Sequence, residues 1–240
     1  EHYHQKYGTS LYGLNKMYLL MEKQHNRGQD GVGIANVKLD VEAGKRYISR
    51  KRSIATNPIQ DVFKQVNRRF VELEENDPEK LKDPQWMKEN LPFTGELFLG
   101  HLRYGTFGGN TIEQCHPFLR QNNWKTRNLV LAGNFNMTNV DELFQQLVDI
   151  GQHPKQMADT VTILEKIGHF LDEANDEIYY KHKDEFSKKE ITKVIEEELD
   201  LQDILTQSAK YWDGGYVMCG LMGHGDAFAL RDPNAIRPAY

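Results

Sequence analysis

The chain has 240 residues, with 30 Lys and Arg against 35 Asp and Glu and a formal net charge of -5. That balance argues against a general binder of nucleic acids or anionic membranes, which needs clustered positive charge, and no apolar run approaches the roughly 20 residues that span a bilayer. No signal peptide opens the sequence, so one large, soluble, cytoplasmic domain able to bury its own core is expected.

Leu11, Leu14, Tyr18 and Met21 fall at helical spacing and predict a helix over 10–24, which Asn26-Arg27-Gly28 ends with a glycine stop signal. Arg27 suits the negative end of that helix. Gly31 to Val37 is a buried strand, and Lys45 to Lys51 alternates as its partner across a loop holding Gly44. The basic runs Lys45-Arg46 and Arg50-Lys51-Arg52 look like solvated strand edges. Asn57-Pro58 opens a helix whose face is Val62, Phe63, Val66 and Phe70, and 72–90, charged and broken by Pro78 and Pro84, should be a surface excursion.

Leu97 and Leu99 mark a buried strand that runs into the glycine-rich stretch 100–109. Arg103 arrives at its end with little water, where a guanidinium can grip a carboxylate through two parallel hydrogen bonds, and Thr106 adds a hydroxyl. Leu129 to Ala132 is a further buried strand, expected to deliver Gly133, Asn134 and Phe135 to the same end of the sheet. An amide side chain and a backbone N–H there could stabilise a developing oxyanion, an effect of roughly 3 kcal/mol per donor, although on these residues alone ordinary turn chemistry is the stronger explanation.

Val140, Leu143, Phe144, Leu147 and Val148 line one helix, and Ile163, Leu164, Ile167, Phe170 and Leu171 the next, with Asp159 at its start as a capping carboxylate. A polar connection over 172–189 leads to helical spacing from Ile191 to Leu205. Two strands, 214–222 and 226–230, then flank Gly223-His224-Gly225, a hairpin signal with His224 as a turn residue. Cys219 lies in the first of these strands as a small hydrophobe; Cys115, beside His116, invites a nucleophile reading that sequence neighbours rarely satisfy geometrically. The two cysteines give no disulfide framework. No metal-ligand spacing and no phosphate-binding glycine motif occurs, so no metal and no cofactor is expected. Periodicity supports a mixed α and β chain.

Gly100-His101-Leu102-Arg103-Tyr104-Gly105-Thr106 resembles the GHxRYxT signature of class II glutamine amidotransferase domains. Four further segments resemble that class in order: Gln24 to Asp30 its QHRGQD, with Asn26 inserted; Ala132 to Asn139 its AHNGNLTN; Ala158-Asp159-Thr160 its SDT; and Arg231 to Pro238 its RDPxGIRP. The first and last of these four together point to the amidophosphoribosyltransferase family within the class.

The resemblance implies an α+β fold, the four-layer αββα sandwich of N-terminal-nucleophile hydrolases, with two mainly antiparallel sheets between helix layers. It implies that Arg103, Tyr104, Thr106 and Asp159 bind L-glutamine, Arg103 through the α-carboxylate and Asp159 through the α-ammonium. Asn134 and the Phe135 backbone N–H would form the oxyanion hole, and Arg27 would lie beside the nucleophile. In the family an N-terminal cysteine, its own α-amine acting as base, attacks the glutamine amide. The ammonia released passes to a phosphoribosyltransferase domain of the same chain, which makes phosphoribosylamine for purine synthesis. Residue 1 is Glu1 and the sequence stops at Tyr240, so 1–240 is expected to be the glutaminase domain without its cysteine segment and without the transferase domain, and inactive as it stands. Association into homo-oligomers is expected, with neither nucleic acid nor membrane as a partner. A non-catalytic glutamine-binding or scaffolding relative is the alternative. Phe135 stands where the family has Gly, and would be strained if that position needed a positive φ.

Overall fold

The computed structural model describes residues 2–105 and 111–240. The chain forms two compact units, Glu1–Pro117 and Phe118–Tyr240.

In the first unit, α1 (His2–Tyr7) and α2 (Tyr12–Lys23) precede strand β1 (Gly31–Val37), and β2 (Ile48–Ser53) follows. Next come α3 (Pro58–Asn76), α4 (Pro84–Asn90) and β3 (Leu97–Arg103). The sheet order is β2-β1-β3, antiparallel throughout, with Val32 opposite Ser53 on one side and Leu102 on the other. Val32 and Ile34 join Leu14, Met21, Val62, Phe63, Val66 and Phe70 in one core, each fully buried aliphatic contributing roughly 1.5–3 kcal/mol. The stretch 72–90 is more than a surface excursion: α3 continues to Asn76, and Met87, Leu91 and Phe93 enter the core. The expected β2 begins at Ile48 rather than Lys45, because 38–47 makes the connecting turn. On its other face β1 carries Gly31, Gly33 and Ala35, and a Cβ on Gly33 would meet the His116 carbonyl oxygen at 1.9 Å. Segment 115–117 lies across that face, so β1 is buried on both sides.

The second unit runs through β4 (Phe118–Arg120), β5 (Leu129–Met137), α5 (Val140–Asp149) and α6 (Asp159–His182). It closes with α7 (Ile191–Glu198), α8 (Leu201–Ala209), β6 (Gly214–Met222) and β7 (Ala227–Arg231). Its sheet order is β4-β5-β6-β7, again antiparallel. Leu129, Leu131, Leu143, Leu147, Ile163, Ile167 and Met218 build its core. The polar connection expected from Asp172 is instead the continuation of α6, which stays amphipathic and buries Asn175. Arg120 of β4 lies across α6, its fork on Asp172 at 3.2 and 2.5 Å and its Nε 3.4 Å from Glu165. Gly168 makes the room, since a Cβ there would sit 2.2 Å from Arg120 Nε. Each unit is thus an antiparallel sheet with helices packed on it, and the class is α+β, as expected. Among the described residues no helix is long and apolar enough to cross a membrane.

Candidate active site

The residues singled out by the motifs divide between the two units. Arg27, Arg103 and Tyr104 belong to the first; Asn134, Phe135 and Asp159 belong to the second; Thr106 lies outside the described residues. The strands that carry Arg103 and Asn134 are in different sheets, not at one end of a single sheet.

In the first unit two of the motifs are stitched together. Asp30 donates its N–H to the Arg103 carbonyl at 3.1 Å, and its carboxylate accepts the Gly105 N–H at 2.7 Å. Gly28 lies against the exit of β3, where an added Cβ would come within 2.6 Å of the Leu102 carbonyl. Its φ of -175° is extended backbone, so this glycine serves close approach and not the left-handed helix stop that sequence suggested. Arg27, in the 3-10 turn His25–Arg27, is exposed. Arg103 is 9% exposed, and its Nη2 donates to Gln114 Oε1 at 2.9 Å, which holds one arm of the fork at the end of β3. Tyr104, one residue on, is 67% exposed. Asp30 and Gln114 are the contributors that sequence reasoning passed over; Asp30 lies in the segment Gln24 to Asp30, and a carboxylate two residues after a tight glycine contact is the kind of group that fixes a loop.

Cys115 is not a nucleophile. It is fully buried, and its Sγ lies 3.4 Å from the Val32 carbonyl oxygen, with those of His116 and Ser53 at 3.7 and 3.9 Å. Burial pushes its thiol pKa up despite nearby Arg52 and Arg103, which favours the protonated form. His116 cannot serve as its base: burial, with His101 and the arginines Arg103 and Arg52 nearby, drives its pKa to about 2, and the ring stacks on His101 at 4.3 Å. Cys219, expected in the core, is exposed on β6, because the alternation of that strand turns Met218 and not Cys219 toward the helices.

In the second unit the turn expected at 133–135 is absent; β5 continues to Met137, pairing Asn134 with Val217 and Phe135 with Tyr216. Phe135 is not among the positive-φ residues, and its ring packs against the core on the helix side, so the anticipated strain does not arise. Thr138 gives its N–H to the Asp213 carbonyl at 3.0 Å, toward the β6 side, whereas Met137 gives its N–H to Asp159 Oδ2 at 3.0 Å. By the alternation of an antiparallel ladder, the Phe135 N–H points as that of Met137 does, away from β6. Asp159 opens α6 without capping it through its own side chain; its carboxylate ties the helix to β5. Asn134 is exposed on the opposite face of the strand. Among the described residues no group of three or more metal-ligating side chains occurs.

No family model matches the chain. It is 29% identical over 220 residues to the amidophosphoribosyltransferase of Pasteurella multocida (strain Pm70), covering 90% of this chain and 33% of that protein. The chain is similar to amidophosphoribosyltransferases. The corresponding protein of Pseudomonas aeruginosa is 25% identical over 224 residues, with 92% and 34% covered, so the chain spans a third of the length of these amidophosphoribosyltransferases. Among solved structures, "Structure of the allosteric regulatory enzyme of purine biosynthesis" aligns with a TM-score of 0.55 at 24% identity, covering 92% of this chain and 35% of the other. The glutamine phosphoribosylpyrophosphate amidotransferase of B. subtilis, complexed with ADP and GMP, aligns with a TM-score of 0.53 at 23% identity over the same 92% and 35%. At these identities the structural likeness carries the fold alone. The α+β fold of these amidotransferase structures is that of the chain.

Proposed function

We propose that the chain is the glutaminase domain of an amidophosphoribosyltransferase, which hydrolyses glutamine to glutamate and supplies the ammonia that converts phosphoribosyl pyrophosphate to phosphoribosylamine in purine biosynthesis. A phosphoribosyltransferase domain of the same polypeptide is its partner, and the reading carries with it a cytoplasmic location and self-association. The observation that supports it most is Arg103, a buried guanidinium set at the end of β3 by Gln114 and by the Asp30 stitch, inside the segment that resembles the class signature. In this reading Arg103 takes the α-carboxylate of glutamine and Asp159 its α-ammonium. Asn134 and the Phe135 N–H receive the oxyanion as the thiolate of the family's N-terminal cysteine, which is not one of residues 1–240, attacks the side-chain amide, a thioester forms, ammonia leaves, and water releases glutamate. The reading also assigns glutamine binding to Tyr104 and Thr106 and a role beside the nucleophile to Arg27.

The test is made in the polypeptide that carries both activities. Arg103→Ala is expected to raise the KM for glutamine by about 30-fold or more, the equivalent of one lost charge-assisted pair, while synthesis from free ammonia is unchanged. Equal loss of both activities refutes the assignment.

A further inference from the structure

At the far end of β1 the helix-facing side of the first sheet changes chemistry. Val32 and Ile34 enter the core, and the same alternation then brings Asn36 and Lys38 inward. Asn36 is satisfied: it donates to the Leu97 carbonyl at 2.8 Å and accepts the Gly95 N–H at 3.0 Å. Lys38 is not. The residue is 2% exposed, and no described residue gives its ammonium a hydrogen bond or ion pair, but the Nζ atom itself is not fully buried and keeps some surface at the cavity it lines. The carboxylate that attracts it, Glu96, is engaged by Lys88 at 2.5 Å and by the Leu39 N–H at 2.9 Å. Ser49, directly opposite Asn36 in the register, is 3% exposed and its hydroxyl also has no partner.

Lys38 and Ser49 line the same cavity, about 780 Å3 in volume. Arg46 and Lys51 from the hairpin that holds β2, and Arg68 and Arg69 from α3, are among the residues of the remaining wall; Arg50 also lines it, but its Nη1 donates to the Pro117 carbonyl at 3.2 Å. The acids at its rim are already engaged, Glu72 by Arg68 at 2.9 Å and Glu89 by Gln85 at 2.6 Å. Lys45, Arg46 and Lys51, from the basic runs that looked like solvated strand edges, therefore line the cavity that holds Lys38 and Ser49, whereas Arg52 donates to the Cys115 carbonyl at 2.7 Å. An unpaired ammonium and an unsatisfied buried hydroxyl that face one cavity are unfavourable unless water or a ligand in that cavity completes them. The excess of cations specifies the sign of that ligand, and the cavity has the size of a small-molecule site. Several converging cations are best used by a group with three acceptor oxygens and more than one charge.

We propose that this cavity binds a small phosphate-bearing anion, held at its buried end by the Lys38 ammonium and the Ser49 hydroxyl and at its mouth by Arg46 and Arg69. The site lies wholly within the first unit and does not depend on the glutaminase reading.

Isothermal titration of the 240-residue chain with inorganic tripolyphosphate tests it. One equivalent is expected to bind, with affinity falling as salt is raised. Lys38→Met should weaken binding at least about tenfold, the loss of one charge-assisted bond, and Ser49→Ala several-fold with the fold intact by circular dichroism. Lys189→Ala, an exposed charge of the second unit, should leave binding unchanged. Competition with ATP separates the sources: tighter binding of ATP assigns an organic phosphate, equal binding a free oligophosphate, and either upholds the site. Absence of saturable binding overturns it, as does a loss with Lys189→Ala equal to that with Lys38→Met. If Lys38→Met does not fold, wild-type affinity in both Ser49→Ala and Arg69→Ala overturns it.

Discussion

Replacing Lys38 with methionine should stabilise the protein at neutral pH and lose that advantage in alkali. Burial pulls the Lys38 pKa from 10.5 down to about 8; Glu96 opposes this, while Lys88, Arg46 and Lys45 add to it. The folded chain therefore sheds this proton at a lower pH than the unfolded chain. Below pH 8 both states hold it, and the folded state bears the full penalty of a buried charge. Between about pH 8 and 10.5 the unfolded state binds more protons, so wild-type stability rises with pH. At about 1.4 kcal/mol per pH unit, the displacement from 10.5 to about 8 is worth about 3 kcal/mol. Methionine keeps most of the stem volume and does not titrate. Urea unfolding of both proteins at intervals from pH 7 to 10.5, in phosphate-free buffer, should show the variant ahead at pH 7 by up to about 3 kcal/mol and the gap closing above pH 8. Other tyrosines and lysines titrate in both proteins and cancel in the difference. Two parallel stability curves would refute the reasoning, because they would mean that the amine titrates alike in the folded and unfolded chains.

Other substitutions probe the scaffold. Gly168→Ala puts a methyl where Arg120 crosses α6, and should destabilise the protein by about 1–3 kcal/mol in thermal or urea melts; Arg120→Ala in the same background should remove most of that penalty. Ala235→Gly should stabilise by about 0.5–1 kcal/mol, since Ala235 has a φ of 55° at the position where the resembled motif carries glycine. His116→Gln should flatten the acid limb of the stability curve. The folded-state pKa of about 2 lies below the ordinary 6.5, so wild type loses stability as pH falls below 6.5, by about 3 kcal/mol between pH 6.5 and 4; an unchanged slope in the variant counts against a neutral buried ring.

The core strands were legible from their composition: β1 from Gly31 to Val37, apolar but for Asn36, and the apolar start of β5 were found by their hydrophobic runs. The faces of α3 and of the first half of α6 followed from three-to-four spacing. What the residues concealed was set by partners distant in sequence. Gly133 to Asn136 has the composition of a turn, yet β6 supplies a ladder for it and the core takes the Phe135 ring, so pairing overrode local propensity. The second half of α6 looked like a polar linker because only Asn175 and the occasional apolar residue face inward there. Arg103 was legible as a strand-end guanidinium, whereas Gln114 and Asp30 gained their roles only through folding. Lys38 was invisible for the same reason: a lysine after an apolar strand usually reaches water, whereas here it lines a cavity whose other walls come from α3 and from 89–93.

The Asp30 stitch has a consequence for moving this site between proteins. One side chain and its own N–H hold both sides of the β3 exit, so the geometry of the arginine is shared property of two segments more than seventy residues apart, as the separation of 75 between Asp30 and Gly105 records. A graft of the Gly100 to Gly105 loop into another scaffold would carry the arginine but not the clamp that aims it. Only a transplant that brings the Gly28 to Asp30 segment, which fixes the backbone, and Gln114, which holds the fork, transfers a preorganised guanidinium in place of a flexible one.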